Sequence, residues 1–350
     1  MAATITDNFR VRNAADFVDS VTLESLYMFI GKIDPWADDA NPPLPFDTVQ
    51  ETEYAHWEDM LAAKRITSLD IVHMIPRNNW TTNTVYTQYD PADEELHRSN
   101  FTVINSNYDV YKCIDNNGGA QSTVEPTGTG AAIFTTGDGY AWKYMYTVQT
   151  EDALRFVSSN FIPVRQNVGN VDNDGPGLTP YPTGGHGADN FKELGAYFVG
   201  INVQFTGDEG GSFTTKNDYR KVGLVNNPTL FGTTTVATDV SYRQSTIYTL
   251  TNVTGTFVAD EIVEGNTPSD TARVVEYNAT SELLTVKLVS GTISTSDTLT
   301  GAVSGAVGDV SSITDPELEL YSGEMLFVEY KNPTPRDPAQ TESVTLILQF

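Results

Sequence analysis

The sequence predicts a mainly β protein with few helices and a small inserted β module. Three observations carry this reading. Most apolar runs alternate with polar residues at a period of two, as half-buried strands do. Only two segments show the three-to-four spacing of an amphipathic helix. Residues 245–313 shift toward Thr, Val, Ser and Gly, lack Trp, His and Cys, and repeat themselves.

Asn13 reads as the N-cap of a helix over 14–20, with Phe17 and Val18 on its apolar side. A second helix is expected from Gln50 to Ala63, where Tyr54, Trp57 and Leu61 recur on one face. In Ala141–Val148 the alternation places Trp142, Tyr144, Tyr146 and Val148 together, opposite Lys143 and Thr147. In Phe198–Phe205 it places Val199, Ile201, Val203 and Phe205 together, opposite Asn202 and Gln204. Glu324–Tyr330 and the closing Val344, Leu346, Leu348 and Phe350 flank the polar loop Lys331–Thr341. They read as a hairpin with a long connection.

Two Gly-rich stretches interrupt the pattern, Asn116–Gly139 and Asn167–Gly187, each with six glycines. Loops of this length serve binding or assembly and are expected to be ordered against something. In the repeat, Gly255-Thr256-Phe257 recurs 36 residues later as Gly291-Thr292-Ile293. Glu261-Ile262-Val263-Glu264-Gly265 recurs likewise as Asp297-Thr298-Leu299-Thr300-Gly301. Leu284, Val286 and Leu288 alternate between the copies as a strand. Two copies are too few for a solenoid and fit a pseudo-symmetric β-barrel or sandwich set into a surface loop.

The 350 residues carry 20 Lys+Arg against 46 Asp+Glu, a net charge of −26. Such a chain lacks the basic excess that neutralises phosphates, so neither nucleic acid nor an anionic membrane surface is an expected partner. The 17 Tyr, 16 Phe and 4 Trp supply bulky core material and argue against disorder. Asp7 interrupts the N-terminus before any apolar run forms, so no secretory signal is read there. No stretch reaches the ~18 apolar residues of a membrane span. A single cysteine, Cys113, gives no disulfide framework, and folding in a cytoplasm is expected.

No chemistry-bearing constellation emerges. His56, His73, His97 and His186 lack the spacing of zinc ligands. Asp172-Asn173-Asp174-Gly175 lacks the later ligands of a calcium loop and reads as a solvated turn. Gly184-Gly185-His186-Gly187 follows Pro180-Tyr181-Pro182 rather than a strand, so it reads as a turn and not a phosphate cradle. Glu125, Asp138 and Glu324 are acids without a distinguishing pair spacing, and neither a G-x-S-x-G elbow nor a P-loop occurs. No catalytic residue, cofactor or metal is expected. Trp57 and Trp142 sit in core patterns, whereas Trp36 and Trp80 lie in turns, where an aromatic plugs a core or anchors a partner.

The turn-embedded aromatics come in a familiar order. Tyr27-Met28-Phe29-Ile30-Gly31-Lys32 precedes Asp34-Pro35-Trp36, then Pro43-Leu44-Pro45 and the helix bearing Trp57. Ile75-Pro76-Arg77-Asn78-Asn79-Trp80, Val110-Tyr111-Lys112-Cys113 and Gly137-Asp138-Gly139-Tyr140-Ala141-Trp142-Lys143-Tyr144 follow. Ser322-Gly323-Glu324-Met325-Leu326 then leads to a closing strand ending in Phe350. This collinear set resembles the baseplate wedge proteins of T-even-like contractile-tailed bacteriophages.

The resemblance implies a layered β-sandwich with short helical excursions, discontinuous over residues 1–243 and 315–350. The segment 244–314 is then an inserted small β-barrel or sandwich that the relatives lack. It also implies no enzymatic activity, a homodimer, and a virion protein bridging other baseplate wedge proteins in the tail baseplate, assembled in the host cytoplasm. No nucleic-acid partner and no membrane insertion are implied. The structural or interface positions that it marks are Pro35, Trp36, Trp57, Pro76, Arg77, Trp80, Asp138, Gly139, Tyr140, Trp142, Gly323 and Glu324. From loop length and exposed aromatics, residues 116–139, 167–187 and the Trp36 turn are the expected wedge contacts. The alternative is a carbohydrate-binding or depolymerising tail protein acting through 244–314, with Tyr248, Phe257 and Tyr277 as its stacking aromatics.

Overall fold

The computed structural model describes residues 7–45, 51–90, 92–93, 96–164, 194–205, 218–334 and 341–350. In chain order its elements begin with α1 (Asp7–Leu23), β1 (Leu26–Gly31), α2 (Glu51–Asp59), β2 (Met60–Arg65) and β3 (Ile71–Pro76). Next come β4 (Thr102–Ile104), β5 (Asp109–Asp115), β6 (Phe134–Thr135), β7 (Ala141–Thr147), α3 (Thr150–Phe156), β8 (Phe161–Val164) and β9 (Phe198–Phe205). Then follow β10 (Tyr219–Asn226), β11 (Ser241–Arg243), β12 (Thr246–Thr254), β13 (Ile262–Glu264), β14 (Thr271–Asn278) and β15 (Leu283–Ser290). The chain closes with β16 (Thr298–Gly301), β17 (Val307–Thr314), β18 (Glu324–Thr334) and β19 (Glu342–Gln349). The protein is mainly β, as expected. It divides into two compact units, Met1–Leu23 with Thr67–Asn202 and Val344–Phe350, and Glu24–Ile66 with Val203–Ser343.

The first unit is layered. Its two four-stranded sheets run β19-β9-β3-β8 and β4-β5-β7-β6. One core cluster draws Ile75 and Ile162 from the first sheet, Val110 and Tyr146 from the second, and Val11 from α1. Burying such side chains contributes roughly 1.5–3 kcal/mol each, which is what holds the layers. Helix α1 is longer than the sequence reading, and Asn13 lies inside it rather than capping it. Its buried stripe is Val11, Ala14, Val18 and Val21, at spacings of three and four.

Strand β7 departs from simple alternation. Tyr146 pairs with Val110 and Tyr144 with Tyr111, so Met145 is an extra residue on β7. This bulge rotates the strand's faces. Trp142 and Tyr144 join an aromatic cluster with Tyr86, Tyr111 and Tyr140, whereas Met145, Tyr146 and Val148 join the inter-sheet core. The expected single face is therefore two. In β9 the expected face holds: Val199, Ile201, Val203 and Phe205 are all buried.

The second unit carries a five-stranded sheet, β11-β2-β1-β10-β18, and a closed barrel. Helix α2 stops at Asp59, short of the predicted Ala63, because Met60–Arg65 is taken as β2 by pairing with β1. The Asp59 carbonyl instead accepts from Lys32 N at 2.9 Å. Only glycine fits at Gly31, where a Cβ would stand 2.6 Å from that carbonyl. The expected C-terminal hairpin does not form. β18 pairs with β10, and β19 lies beside β9 in a different sheet, so long-range pairing overrides sequence adjacency.

The barrel closes in the order β12-β15-β14-β13-β16-β17, with β12 also paired to β17. Exchanging the two copies, 36 residues apart, swaps β12 with β15, β13 with β16 and β14 with β17 and maps this cycle of strands onto itself. Its interior is built from repeat-related pairs: Tyr248 with Leu284, Leu250 with Val286, Phe257 with Ile293, Val263 with Leu299, and Val274 with Val310. Two acids clasp the copies reciprocally. Glu261 accepts from Val258 N of its own copy and from Val303 N and Ser304 N of the other. Asp297, its equivalent, accepts from Ser294 N of its own copy and Asn266 N of the other.

Candidate functional site

The largest group of marked residues meets in the first unit around Asp138. The chain turns tightly from Thr136 to Tyr140, with Gly139 at φ 85, and the Asp138 carboxylate points back into the loop 116–139. Its Oδ2 accepts from Ser122 Oγ at 3.0 Å, Thr123 N at 2.7 Å and Val124 N at 3.0 Å. Its Oδ1 accepts from Thr136 Oγ1 at 2.5 Å and from Tyr140 N at 3.3 Å. Burial raises the carboxyl's pKa, but these hydrogen bonds to the charged form outweigh it and hold the group well below the usual carboxylate range.

The aromatics complete the knot. Trp80 Nε1 donates to Ser122 Oγ at 3.1 Å, Tyr140 Oη donates to Ala120 O at 2.5 Å, and Tyr140 stacks on Trp142 at 5.4 Å. Asp138, Gly139, Tyr140, Trp142 and Trp80 are thus brought together, and what they do is staple the loop to the sheet. The loop presents Val124 and Ile133 outward, 41% and 56% exposed. Pro76 ends β3 opposite Phe161, and Arg77 donates to Ser158 O at 2.8 Å, so that pair fixes the neighbouring turn.

The Trp36 turn lies in the second unit. Trp36 is half-buried: its ring sits 4.7 Å from that of Tyr330, Lys32 Nζ lies 4.4 Å from it, and Nε1 donates to Lys331 O at 3.1 Å. Asp39 anchors the turn through a two-pronged pair with Arg220, both contacts 2.8 Å, which holds its carboxyl down at about 2. Pro35 next to it is exposed. Trp57 is not at the surface: it is buried with Tyr27, Phe29, Met60 and Leu318. Gly323, at φ 70, would put a Cβ 2.4 Å from Asn226 O, and Glu324 opens β18 opposite Asn226. The Arg220–Asp39 pair and the buried Lys221–Asp59 pair were not visible in the sequence, since their partners lie far apart in the chain. Residues 167–187, with the Asp172–Gly175 and Gly184–Gly187 stretches read above as turns, lie outside the described residues.

Among the described residues no group of three or more His, Cys, Asp or Glu is placed to hold a metal ion. Burial pushes the Cys113 thiol up to about 12, with the Asp115 charge adding to it, so this cysteine is not a ready nucleophile. No described helix is long and apolar enough to cross a membrane.

No family model matches the chain. Over 202 residues it is 22% identical to the baseplate wedge protein gp8 of Enterobacteria phage T4, a match covering 46% of this chain and 60% of that protein. The chain is distantly similar to a phage baseplate protein. The match spans less than two thirds of the length of this relative.

Proposed function

We propose that this chain is a structural, non-enzymatic component of a contractile-tail baseplate, bridging neighbouring wedge subunits as a homodimer. The observation that carries the reading is the likeness to the wedge protein of phage T4. The geometry supports it: the marked residues around Asp138 brace a surface loop rather than line a reactive cleft. The loop 116–139, with Val124 and Ile133 outward, and the exposed rim of the Trp36 turn are the proposed wedge contacts, together with 167–187. The loop 116–139, pre-ordered by its hydrogen bonds to Asp138, binds with less loss of conformational entropy than a mobile one would.

We also propose that 244–314 is an inserted module on a domain formed by 1–243 and 315–350. Support comes from its neck. Gln244 Nε2 donates to Leu318 O at 3.0 Å, Leu318 N donates back to Gln244 Oε1 at 3.2 Å, and Glu317 N donates to Arg243 O at 3.0 Å. The two ends of the segment are thereby held side by side. The saccharide-binding alternative loses its provision for stacking, because Tyr248 and Phe257 are buried in the barrel and Tyr277 packs on Phe257 at 5.3 Å. Light scattering coupled to size exclusion tests the main reading, on the chain alone and mixed with baseplate wedge proteins from the same source. A dimer of the 38.3 kDa chain that enters a stoichiometric complex is expected. A monomer indifferent to those proteins would overturn it.

A further inference from the structure

One exposed cluster in the second unit plays no part in the packing described so far. Tyr54 and Tyr321 are 45% and 46% exposed, and their rings meet edge to face with centroids 4.3 Å apart. Glu58 lies one helical turn after Tyr54, on the same face of α2, and its Oε1 accepts from Tyr321 Oη at 3.2 Å. Glu58 is itself exposed. The backbone at Tyr321 is left-handed, at φ 65, where a bulky residue is strained and glycine is not. The chain therefore holds a half-exposed aromatic ring at a position where the backbone alone favours glycine. Tyr108 shares this backbone conformation, so the strain alone assigns nothing; what sets Tyr321 apart is the second tyrosine and the carboxylate gathered around its ring.

From this we infer that Tyr54, Glu58 and Tyr321 form a receptor for an arginine side chain of a neighbouring baseplate protein. The inference deepens the baseplate reading and takes its biological setting from it, though not its chemistry. A planar guanidinium stacks on an aromatic face while its N–H fork pairs with a carboxylate, and this cluster offers both together. A lysine ammonium matches the charge but not the plane. Charge complementarity favours such an occupant, since a chain of net charge −26 attracts basic surfaces and steers them in. Tyrosine is also among the residues enriched at interface anchors, as is the arginine it would receive.

The test uses the full chain labelled at its tyrosine rings and read by NMR, with three blocked tripeptides as probes: Gly-Arg-Gly, Gly-Lys-Gly and Gly-citrulline-Gly. The arginine peptide is expected to shift the Tyr54 and Tyr321 ring signals. The lysine peptide should do so less and the neutral citrulline peptide not at all, and Glu58→Gln should abolish the response. Equal or absent shifts with all three peptides would overturn the inference. In the assembled wedge complex, Glu58→Lys and Tyr321→Gly are expected to weaken association by roughly tenfold or more. Tyr321→Gly removes the ring while relaxing the backbone, and an unchanged circular dichroism spectrum and melting point of that variant separate loss of the ring from loss of the fold. A wild-type complex that both variants join with unchanged affinity would also overturn the inference, leaving the baseplate reading intact. If the wild-type chain joins no wedge complex, the baseplate reading fails, and the receptor stands or falls on the peptide titration.

Discussion

Asp138 shows how much a single carboxylate can organise. Five donors converge on its two oxygens, three of them backbone N–H groups of the loop and its turn, so removing it orphans donors on both sides of 116–139. Hydrogen bonds to a charged group contribute roughly 1.5–3 kcal/mol; Thr123 N and Val124 N can turn to water when the acceptor is gone, so the loss falls mainly on the part-buried Ser122, Thr136 and Tyr140 donors. Asp138→Ala is accordingly expected to destabilise the protein by about 3 kcal/mol, seen as a lower urea midpoint with an unchanged slope. The pH dependence follows from the sign of the shift. A carboxyl held below its ordinary 3.8 binds fewer protons folded than unfolded, so its stabilisation is complete above that value. It is lost as pH falls below 3.8 toward the depressed folded pKa. Comparing wild type with Asp138→Asn should show the stability gap narrowing in that window. A gap that stays constant from neutral pH into strong acid would mean that the charge is not what holds the loop.

At the scale of elements, the sequence was most legible where burial is simple. The face of β9 and the 36-residue repeat could be read because each position's environment follows from its own period. It was least legible where a distant partner decides. Met145 bulges on β7 because of its pairing with β5, and Met60–Arg65 leaves the helical pattern because β1 lies ready to pair with it. The acids of the barrel belong to both classes: Glu261 and Asp297 could be aligned as equivalents, but nothing in the sequence said that each reaches across to the other copy. That crossing makes a prediction. Glu261→Ala and Asp297→Ala should each lower barrel stability by about 1–3 kcal/mol, with Glu261 the more costly because Val303 N, Ser304 N and Ser304 Oγ all lose their acceptor. Amide exchange should rise at 302–304 in the first variant and near 266 in the second. Protection lost only within the mutated copy would refute the reciprocal clasp.

For the whole molecule, the open question is whether the barrel is a passenger or a part. The neck at Arg243–Ser245 and Asp315–Leu318 favours a passenger, because hydrogen bonds across it already bring the two ends together, with Arg243 also donating to Asp315 O at 2.7 Å. The packing beyond the neck favours a part. Val275 of β14 is buried against Ile33 and Leu61, and Lys287 of β15 is buried with its Nζ bonded to Gln244 O. The barrel likewise belongs to the same compact unit as residues 24–66. Magnitudes separate the two. Uncovering Ile33 and Leu61 exposes two aliphatic side chains in part, on the order of 2 kcal/mol, whereas a domain's total stability is about 5–15 kcal/mol. Replacing 246–314 by a short Gly-containing turn should therefore leave a soluble, cooperatively unfolding chain with mainly β circular dichroism and a modestly lower melting point. Binding to wedge partners through the loop 116–139 should persist in that chain, since the Asp138 knot uses no residue of the barrel. A remainder that aggregates or melts without cooperativity would show instead that the barrel completes the core of the unit that carries it. The insertion would then be an insertion in sequence only.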